Sequence, residues 1–124
     1  MLKVLIVEDN PFFRDAFKKS LVEHFPSLTV DEAANGEEAI ERISGSAPHL
    51  VFTDIRMPGM NGLQLTKRIK KDFPKISVAV LTAYDLPEYR QAALQDGADR
   101  FFTKDSLKWE EIVAYVKFVE SNAV

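Results

Sequence analysis

Carboxylates, a hydroxyl and an ammonium group recur in this sequence directly after short apolar runs, where buried strands would end. These residues are Glu8, Asp9, Asp54, Thr82 and Lys104. Carboxylates that meet at one place repel one another unless a cation lies between them, and carboxylate oxygens with water suit Mg²⁺. A hydroxyl and an ammonium at the same place would bind an anion beside that metal. The set favours phosphoryl transfer onto Asp54, with Mg²⁺ and Lys104 neutralising the phosphoryl oxygens.

The stretch 50–62, LVFTDIRMPGMNG, places Asp54 between a buried-strand pattern and a loop. The first three residues are apolar, and the Pro, Asn and Gly residues that follow Asp54 cannot continue a strand. Ligand sites in open α/β sheets lie at such strand ends, although a lone aspartate serves as a turn residue about as often. The recurrence of polar groups at the other strand ends favours a functional Asp54.

The composition is that of one globular domain of 124 residues with a net charge of −3 and no cysteine. The charge argues against a nucleic-acid binder, and the lack of cysteine fits a reducing compartment. No apolar run is long enough for a signal peptide or a membrane span. We therefore expect a cytoplasmic domain without a membrane segment or direct nucleic-acid binding. A basic helix face is expected to be solvated, and its residues are Lys67, Arg68, Lys70 and Lys71.

Five apolar runs alternate with five helical patterns along the chain. The predicted strands cover residues 4–7, 28–34, 50–52, 76–81 and 100–103, and the predicted helices cover 11–25, 37–44, 63–73, 86–96 and 106–121. The alternation predicts an α/β fold, a doubly wound five-stranded parallel sheet with helices on both faces and right-handed crossovers. Because the carboxyl ends of parallel strands lie at one edge, the five polar residues should converge there.

The last predicted helix carries more apolar surface than it needs to cover the sheet. Ser106 is expected to cap it, and the inward stripe is Ile112, Tyr115, Val116 and Val119. Phe118 falls off that stripe and is expected to meet solvent. An exposed aromatic side chain on this helix predicts a surface for a partner or a second copy of the chain.

Several of these motifs together resemble the receiver domain of two-component response regulators, over essentially all of residues 1–124. The matching motifs are Glu8-Asp9, the segment TDIRMPGMNG at 53–62, Thr82-Ala83, Gly97-Ala98-Asp99 and Lys104. The resemblance implies the strand order 2-1-3-4-5, with the first and third strands beside the crevice. The run DNPFFR at 9–14 resembles the subgroup that usually carries a helix-turn-helix output domain, which is not expected within residues 1–124.

The resemblance implies a phosphorylation-activated signalling switch that is not an enzyme acting on a separate substrate. It implies that Asp54 accepts a phosphoryl group from the phosphohistidine of a sensor histidine kinase or a phosphotransfer protein. The implied Mg²⁺ ligands are Asp9, Glu8 directly or through water, Asp54 and the backbone carbonyl of Arg56.

The same resemblance assigns the residues that read the phosphoryl group. Thr82 and Lys104 would contact it, and Phe101 matches the switch aromatic that turns inward when Thr82 moves. Asp105 follows Lys104 where the family often has a proline with a cis bond, so a trans bond is expected here because a non-proline cis bond is costly. Phe101 also lacks the hydroxyl of the tyrosine frequent at the switch position.

Three other functions compete with the signalling switch. A phosphohydrolase of the aspartyl-phosphate type would need a second aspartate two residues after the first, where Arg56 stands. A flavin-binding electron carrier would need a phosphate-cradling loop after the first strand, where Glu8 and Asp9 would repel phosphate. An interaction module independent of phosphorylation would not need the complete acid set.

Overall fold

One sheet of five strands forms the centre of the protein, which a computed structural model describes over residues 2–123. The strands are β1 (Lys3–Val7), β2 (Thr29–Ala33), β3 (Leu50–Thr53), β4 (Ser77–Thr82) and β5 (Arg100–Thr103). Their order is β2-β1-β3-β4-β5, and all neighbouring strands are parallel. The predicted α/β class and the strand order implied by the resemblance are confirmed.

Five helices alternate with the strands. They are α1 (Pro11–His24), α2 (Gly36–Gly45), α3 (Gly62–Asp72), α4 (Pro87–Gln95) and α5 (Trp109–Asn122). Asparagine side chains accept hydrogen bonds from the first-turn amides of α1, α2 and α3, and these caps are Asn10, Asn35 and Asn61. None of these helices is long and apolar enough to cross a membrane.

The inner strands β1, β3 and β4 are buried on both faces because their side chains alternate between two helical layers. Val4 and Ile6 join a core cluster with Phe17 of α1 and Val116 of α5. Leu5 and Val7 point to the other side, into a cluster formed with residues of α2 and α3. A smaller cluster lies beneath α4. The edge where the strands end is thus held from both faces.

Three expectations on the helices are wrong. Ser106 does not cap the last helix, since residues 105 and 106 form a turn and α5 begins at Trp109 without a side-chain cap. Aspartate and serine favour such turns. Lys70 is not solvated, because its ammonium lies 2.8 Å from Asp99. This ion pair connects α3 to the residue that precedes the edge strand β5. The helical pattern predicts Leu63, Thr66, Ile69 and Phe73 as the inward stripe of α3, but Leu65, which that stripe omits, is fully buried.

The inward stripe of α5 is confirmed, and so is the exposure of Phe118, which is 58% accessible. The expected trans bond after Lys104 is also confirmed, since residues 2–123 contain no cis peptide bond.

Candidate functional site

Backbone hydrogen bonds carry the sheet pattern one residue beyond the strand ends and fix the functional residues there. The amide of Glu8 donates to Ala33 at 3.0 Å, and the amide of Asp54 donates to Val7 at 3.1 Å. The amide of Lys104 donates to Thr82 at 2.8 Å. The predicted convergence of polar residues at one edge therefore follows from strand pairing, and Asp54 lies directly beside the end of β1.

Three carboxylates meet at this edge. Ligand oxygens of Glu8, Asp9 and Asp54 all lie within 4.8 Å of one another. Glu8 and Asp54 are buried, whereas Asp9 is exposed at the mouth of the site. One oxygen of Asp54, Oδ1, accepts a hydrogen bond of 2.7 Å from the amide of Ile55. The other oxygen faces the centre of the cluster.

Lys104 bridges the two buried carboxylates. Its Nζ lies 2.6 Å from Oε1 of Glu8 and 3.2 Å from Oδ2 of Asp54. Burial raises the pKa of Glu8, and the hydrogen bond from Lys104 opposes that rise only in part. Burial alone would lower the pKa of Lys104, but the hydrogen bond to Glu8 and the charge of Asp54 raise it above its ordinary value. Lys104 is therefore a fixed positive charge beside Asp54.

Glu8 is held in place by Asn10, which caps α1, and by Arg14 of α1. The sequence predicts Asp9 or Asn10 as the cap of this helix, and Asn10 is the residue that caps it. The amide of Asn10 donates to Oε2 of Glu8 at 3.1 Å. Arg14 donates to the backbone carbonyl of Glu8 at 2.6 Å and pairs with Glu32 of β2 at 3.3 Å. Arg14 ends the run DNPFFR that carries the subgroup resemblance, but nothing in the sequence predicted its contact with Glu8. These contacts orient Glu8 before any cation binds.

Thr82 and Phe101, the implied switch pair, lie on neighbouring strands. Thr82 is the last residue of β4, and Phe101 is the second residue of β5, where it pairs with Val80. Thr82 is fully buried, and its hydroxyl accepts a hydrogen bond of 3.3 Å from the amide of Tyr84. Phe101 is half-buried, and the guanidinium of Arg90 on α4 lies 4.6 Å from the centre of its ring. The sequence did not predict a contact between Arg90 and the switch aromatic. Its contact joins the switch aromatic to α4 by a cation–π interaction.

Arg56 and Tyr84 lie in the loops after β3 and β4. Both side chains are exposed, and the guanidinium of Arg56 lies 4.7 Å from the centre of the Tyr84 ring. The pair joins the two loops that flank Asp54.

A close backbone contact brings the start of α3 against Asp54. A Cβ placed on Gly62 would lie 1.8 Å from the backbone oxygen of Asp54, so only glycine fits there. The amide of Gly62 donates to the carbonyl of Ile55 at 2.8 Å. Glu37 of α2 supports the same loop by accepting a hydrogen bond of 3.0 Å from the amide of Met60. The structure therefore requires a glycine at position 62, the last residue of the segment 53–62.

The acid cluster fits a hard divalent cation. All three side chains offer carboxylate oxygens, and the exposed Asp9 leaves room for water ligands, as Mg²⁺ requires. Asp54 and Glu8 already satisfy part of their charge through Lys104. A cation would therefore join a site in which one positive charge is already fixed.

Comparison with known proteins gives one consistent family. A family model described as the response regulator receiver domain matches residues 4–117. The chain is 32% identical to the uncharacterized transcriptional regulatory protein YesN of Bacillus subtilis, over 94% of this chain and 34% of that protein. It is 33% identical to the probable transcriptional regulatory protein NarL of Mycobacterium tuberculosis, over 91% of this chain and 52% of that protein. The chain thus spans only part of the length of these relatives.

Solved structures with the same fold include two response regulators. A DNA-binding response regulator of the LuxR family from Staphylococcus aureus matches with a TM-score of 0.87 and 28% identity, over 96% of this chain and 98% of that chain. The response regulator TrrA from Thermotoga maritima, in complex with Mg²⁺-BeF, matches with a TM-score of 0.84 and 33% identity, over 96% and 99% of the two chains. With a family match over nearly its whole length, this chain belongs to the receiver domains of two-component response regulators.

Proposed function

We propose that Asp54 is the phosphoacceptor of a signalling switch formed by residues 1–124, and that the donor is the phosphohistidine of a sensor histidine kinase or a phosphotransfer protein. The observation that carries this proposal is the placement of Asp54. Its carboxylate is buried among Glu8 and Asp9, and its Oδ2 lies 3.2 Å from the ammonium of Lys104. A nucleophilic carboxylate beside fixed positive charge is what phosphoryl transfer needs.

In the transfer, a carboxylate oxygen of Asp54 forms a bond to phosphorus. The bond from phosphorus to the imidazole nitrogen of the donor breaks, and that nitrogen keeps the electron pair. Oδ1 is held by the amide of Ile55, which orients the carboxylate. Lys104 lies 3.2 Å from Oδ2 of Asp54, so its charge would stabilise the negative oxygens of a phosphoryl group on that carboxylate without a large movement.

Mg²⁺ is the cofactor that we propose, and it would neutralise charge on the phosphoryl oxygens. Its ligands would be Glu8, Asp9, Asp54 and the backbone carbonyl of Arg56. We rank Asp9 above Glu8, because Glu8 already accepts hydrogen bonds from Lys104 and the Asn10 amide. The TrrA structure, which contains Mg²⁺-BeF, supports the choice of metal.

The phosphorylation signal would pass through Thr82 and Phe101. The hydroxyl of Thr82, which accepts a hydrogen bond from the Tyr84 amide, would donate its own hydrogen bond to a phosphoryl oxygen. Movement of the loop after β4 would then let Phe101 turn inward, away from the guanidinium of Arg90, which lies 4.6 Å from its ring in the present structure. The output is a changed surface at α4 and α5 rather than a reaction product.

Phe118 marks the output surface that we propose on α5. It is the most exposed large apolar side chain of that helix, at 58%. The partner would be a second copy of the chain or an output protein, and this domain would not itself bind nucleic acid.

Incubation with Mg²⁺ and a small acyl phosphate tests the acceptor. The intact mass should rise by one phosphoryl group in the wild-type protein and stay unchanged in Asp54→Ala. Omission of Mg²⁺ should slow the labelling strongly. Labelling of Asp54→Ala at the wild-type rate would move the acceptor elsewhere.

A further inference from the structure

Lys104 has a third neighbour besides its two carboxylates. Its Nζ lies 4.1 Å from the centre of the Phe13 ring, in the first turn of α1. We propose that Phe13 is a positioning residue for Lys104, whose ammonium it holds at the acid cluster through the face of its ring. The proposal rests on the proposed role of Lys104 in phosphoryl transfer. A cation this close to an aromatic face is attracted by the negative centre of the ring.

The Phe13 ring is held rigidly enough to act in this way. Its amide donates to the capping side chain of Asn10 at 3.3 Å, which fixes the first turn of α1. The ring stacks on Phe17, with ring centres 5.8 Å apart and planes 14° from parallel. Phe17 is itself buried and meets Phe52 of β3 edge-on at 5.1 Å. The core of the protein therefore sets the position of the Phe13 face.

Lysine needs such a partner because its ammonium sits on a flexible four-carbon stem. Glu8 and Asp54 attract the ammonium but do not restrain it on the side away from them. Phe13 adds a contact from the first turn of α1, with its ring centre 4.1 Å from Nζ. When a phosphoryl group is added to Asp54, the ring would keep the ammonium near the new oxygens while its ion pairs rearrange.

The stack continues from Phe13 to the single tryptophan of the chain. Phe17 lies 5.2 Å from Trp109 of α5, ring centre to ring centre. Trp109 stacks on His24 at 5.1 Å with planes 5° apart. Occupation of the acid cluster changes the charge around Lys104, which lies at one end of this row of rings, and Trp109 lies near the other end. Tryptophan fluorescence should therefore report occupation of the acid cluster.

The test compares four proteins under identical conditions: wild type, Phe13→Tyr, Phe13→Leu and Phe25→Leu. Phe25→Leu is the matched control, since Phe25 is also a half-buried phenylalanine at an end of α1 but packs at the opposite end of the helix. The two measurements are the rate of labelling by a small acyl phosphate and the change in Trp109 fluorescence on addition of Mg²⁺ and beryllofluoride.

Phe13→Leu should label about 2- to 30-fold more slowly, the range that the loss of a cation–π contact corresponds to. Its fluorescence response should shrink, while Phe13→Tyr and Phe25→Leu keep the wild-type rate and response. Replacement of the Phe13 ring by its pentafluoro analogue keeps the shape and removes the negative face, so it should slow labelling as Phe13→Leu does. If Phe13→Leu folds poorly, the labelling rate of the pentafluoro protein shows whether the negative face of the ring is needed.

Two results would overturn the proposal. One is a wild-type rate in both Phe13→Leu and the pentafluoro protein. The other is a Phe13→Tyr protein that is as slow as Phe13→Leu, because the fit of the side chain rather than its ring face would then matter. Failure of the proposed function looks different, since wild type itself would then not be labelled.

Discussion

Lys104 is the residue on which the charge balance of the site depends. It pairs with Glu8 and Asp54 at 2.6 and 3.2 Å, and its side chain is only 17% exposed. These two ion pairs are therefore less screened by water than a surface salt bridge, which contributes little to stability. Removal of the ammonium would leave two buried carboxylates without their shared cation.

Lys104→Met tests that balance. We expect the variant to fold, with a free energy of unfolding lower by about 1.5–3 kcal/mol, the usual value of a hydrogen bond to a charged group. Added Mg²⁺ should recover part of the loss, since the cation takes over the neutralisation of the acids. Urea titrations of wild type and variant, each with Mg²⁺ and with a chelator, measure both effects. A variant that is unfolded with and without Mg²⁺ would give Lys104 a mainly structural role.

Asp9 and Glu8 differ in the freedom of their side chains, and this difference should appear in metal affinity. We expect Asp9→Asn to weaken Mg²⁺ binding more than Glu8→Gln, because Asp9 is exposed and uncommitted to Lys104. The rise in Tm with Mg²⁺ measures the affinity, since binding to the folded state alone stabilises by about 2.7 kcal/mol at a hundred times Kd. Equal losses in the two variants would mean that the ligands are shared evenly.

At the scale of the element, α5 carries a buried hydroxyl with an unusual environment. Within residues 2–123, no group forms a hydrogen bond of good geometry with the Tyr115 hydroxyl. Ser77 lies close to this hydroxyl and opposes part of the rise in its pKa. Burial is the main cause that raises the pKa of Tyr115 above its ordinary value of 10.0. The folded state therefore keeps a proton that the unfolded state loses in alkali.

The raised pKa of Tyr115 sets the direction in which folding stability changes with pH. Above pH 10, the unfolded chain binds fewer protons at this site than the folded chain, so stability falls as pH rises. Tyr115→Phe should lose less stability than wild type above pH 10. At pH 7 it should be equally stable or more stable, by up to about 1 kcal/mol, because it removes an unsatisfied buried hydroxyl. Urea denaturation at pH 7 and pH 11 checks this, and a parallel fall in both proteins would contradict it.

The outer face of α5 should mediate self-association. We expect Mg²⁺ with beryllofluoride to strengthen dimerisation in wild type, because the exposed Phe118 can bury its ring in a second copy. Phe118→Ser should remain monomeric in both states, and Ser121→Ala, on the same helix end, should behave as wild type. Sedimentation velocity with and without the mimic distinguishes these cases. A dimer that forms equally well in Phe118→Ser would remove this surface from the interface.

The α5 helix also illustrates which features of an element its sequence reveals. Its inward stripe could be predicted, because a period of 3.6 residues marks the buried side directly. Its start could not, since Ser106 is a good helix cap and an equally good turn residue. The turn formed, and α5 began three residues later.

At the scale of the whole molecule, the sequence predicted the convergence of functional groups better than their contacts. Four of the five predicted strands are followed by a candidate polar residue, and parallel pairing brings these ends to one edge, so the meeting of Glu8, Asp54 and Lys104 was predictable. The strand order came from resemblance alone. The contact between Lys104 and Phe13 was not predictable, because it joins residues 91 positions apart on elements whose relative placement depends on the packed core.

Borohydride reduction tests most directly whether Asp54 is the residue that accepts the phosphoryl group. Borohydride converts an aspartyl phosphate into homoserine, which peptide mass mapping then locates. After incubation with Mg²⁺ and an acyl phosphate, we expect homoserine at position 54 and at no other carboxylate. Homoserine at Asp9 or Glu8 in the wild-type protein, or none anywhere despite a gain of one phosphoryl group in mass, would contradict the account.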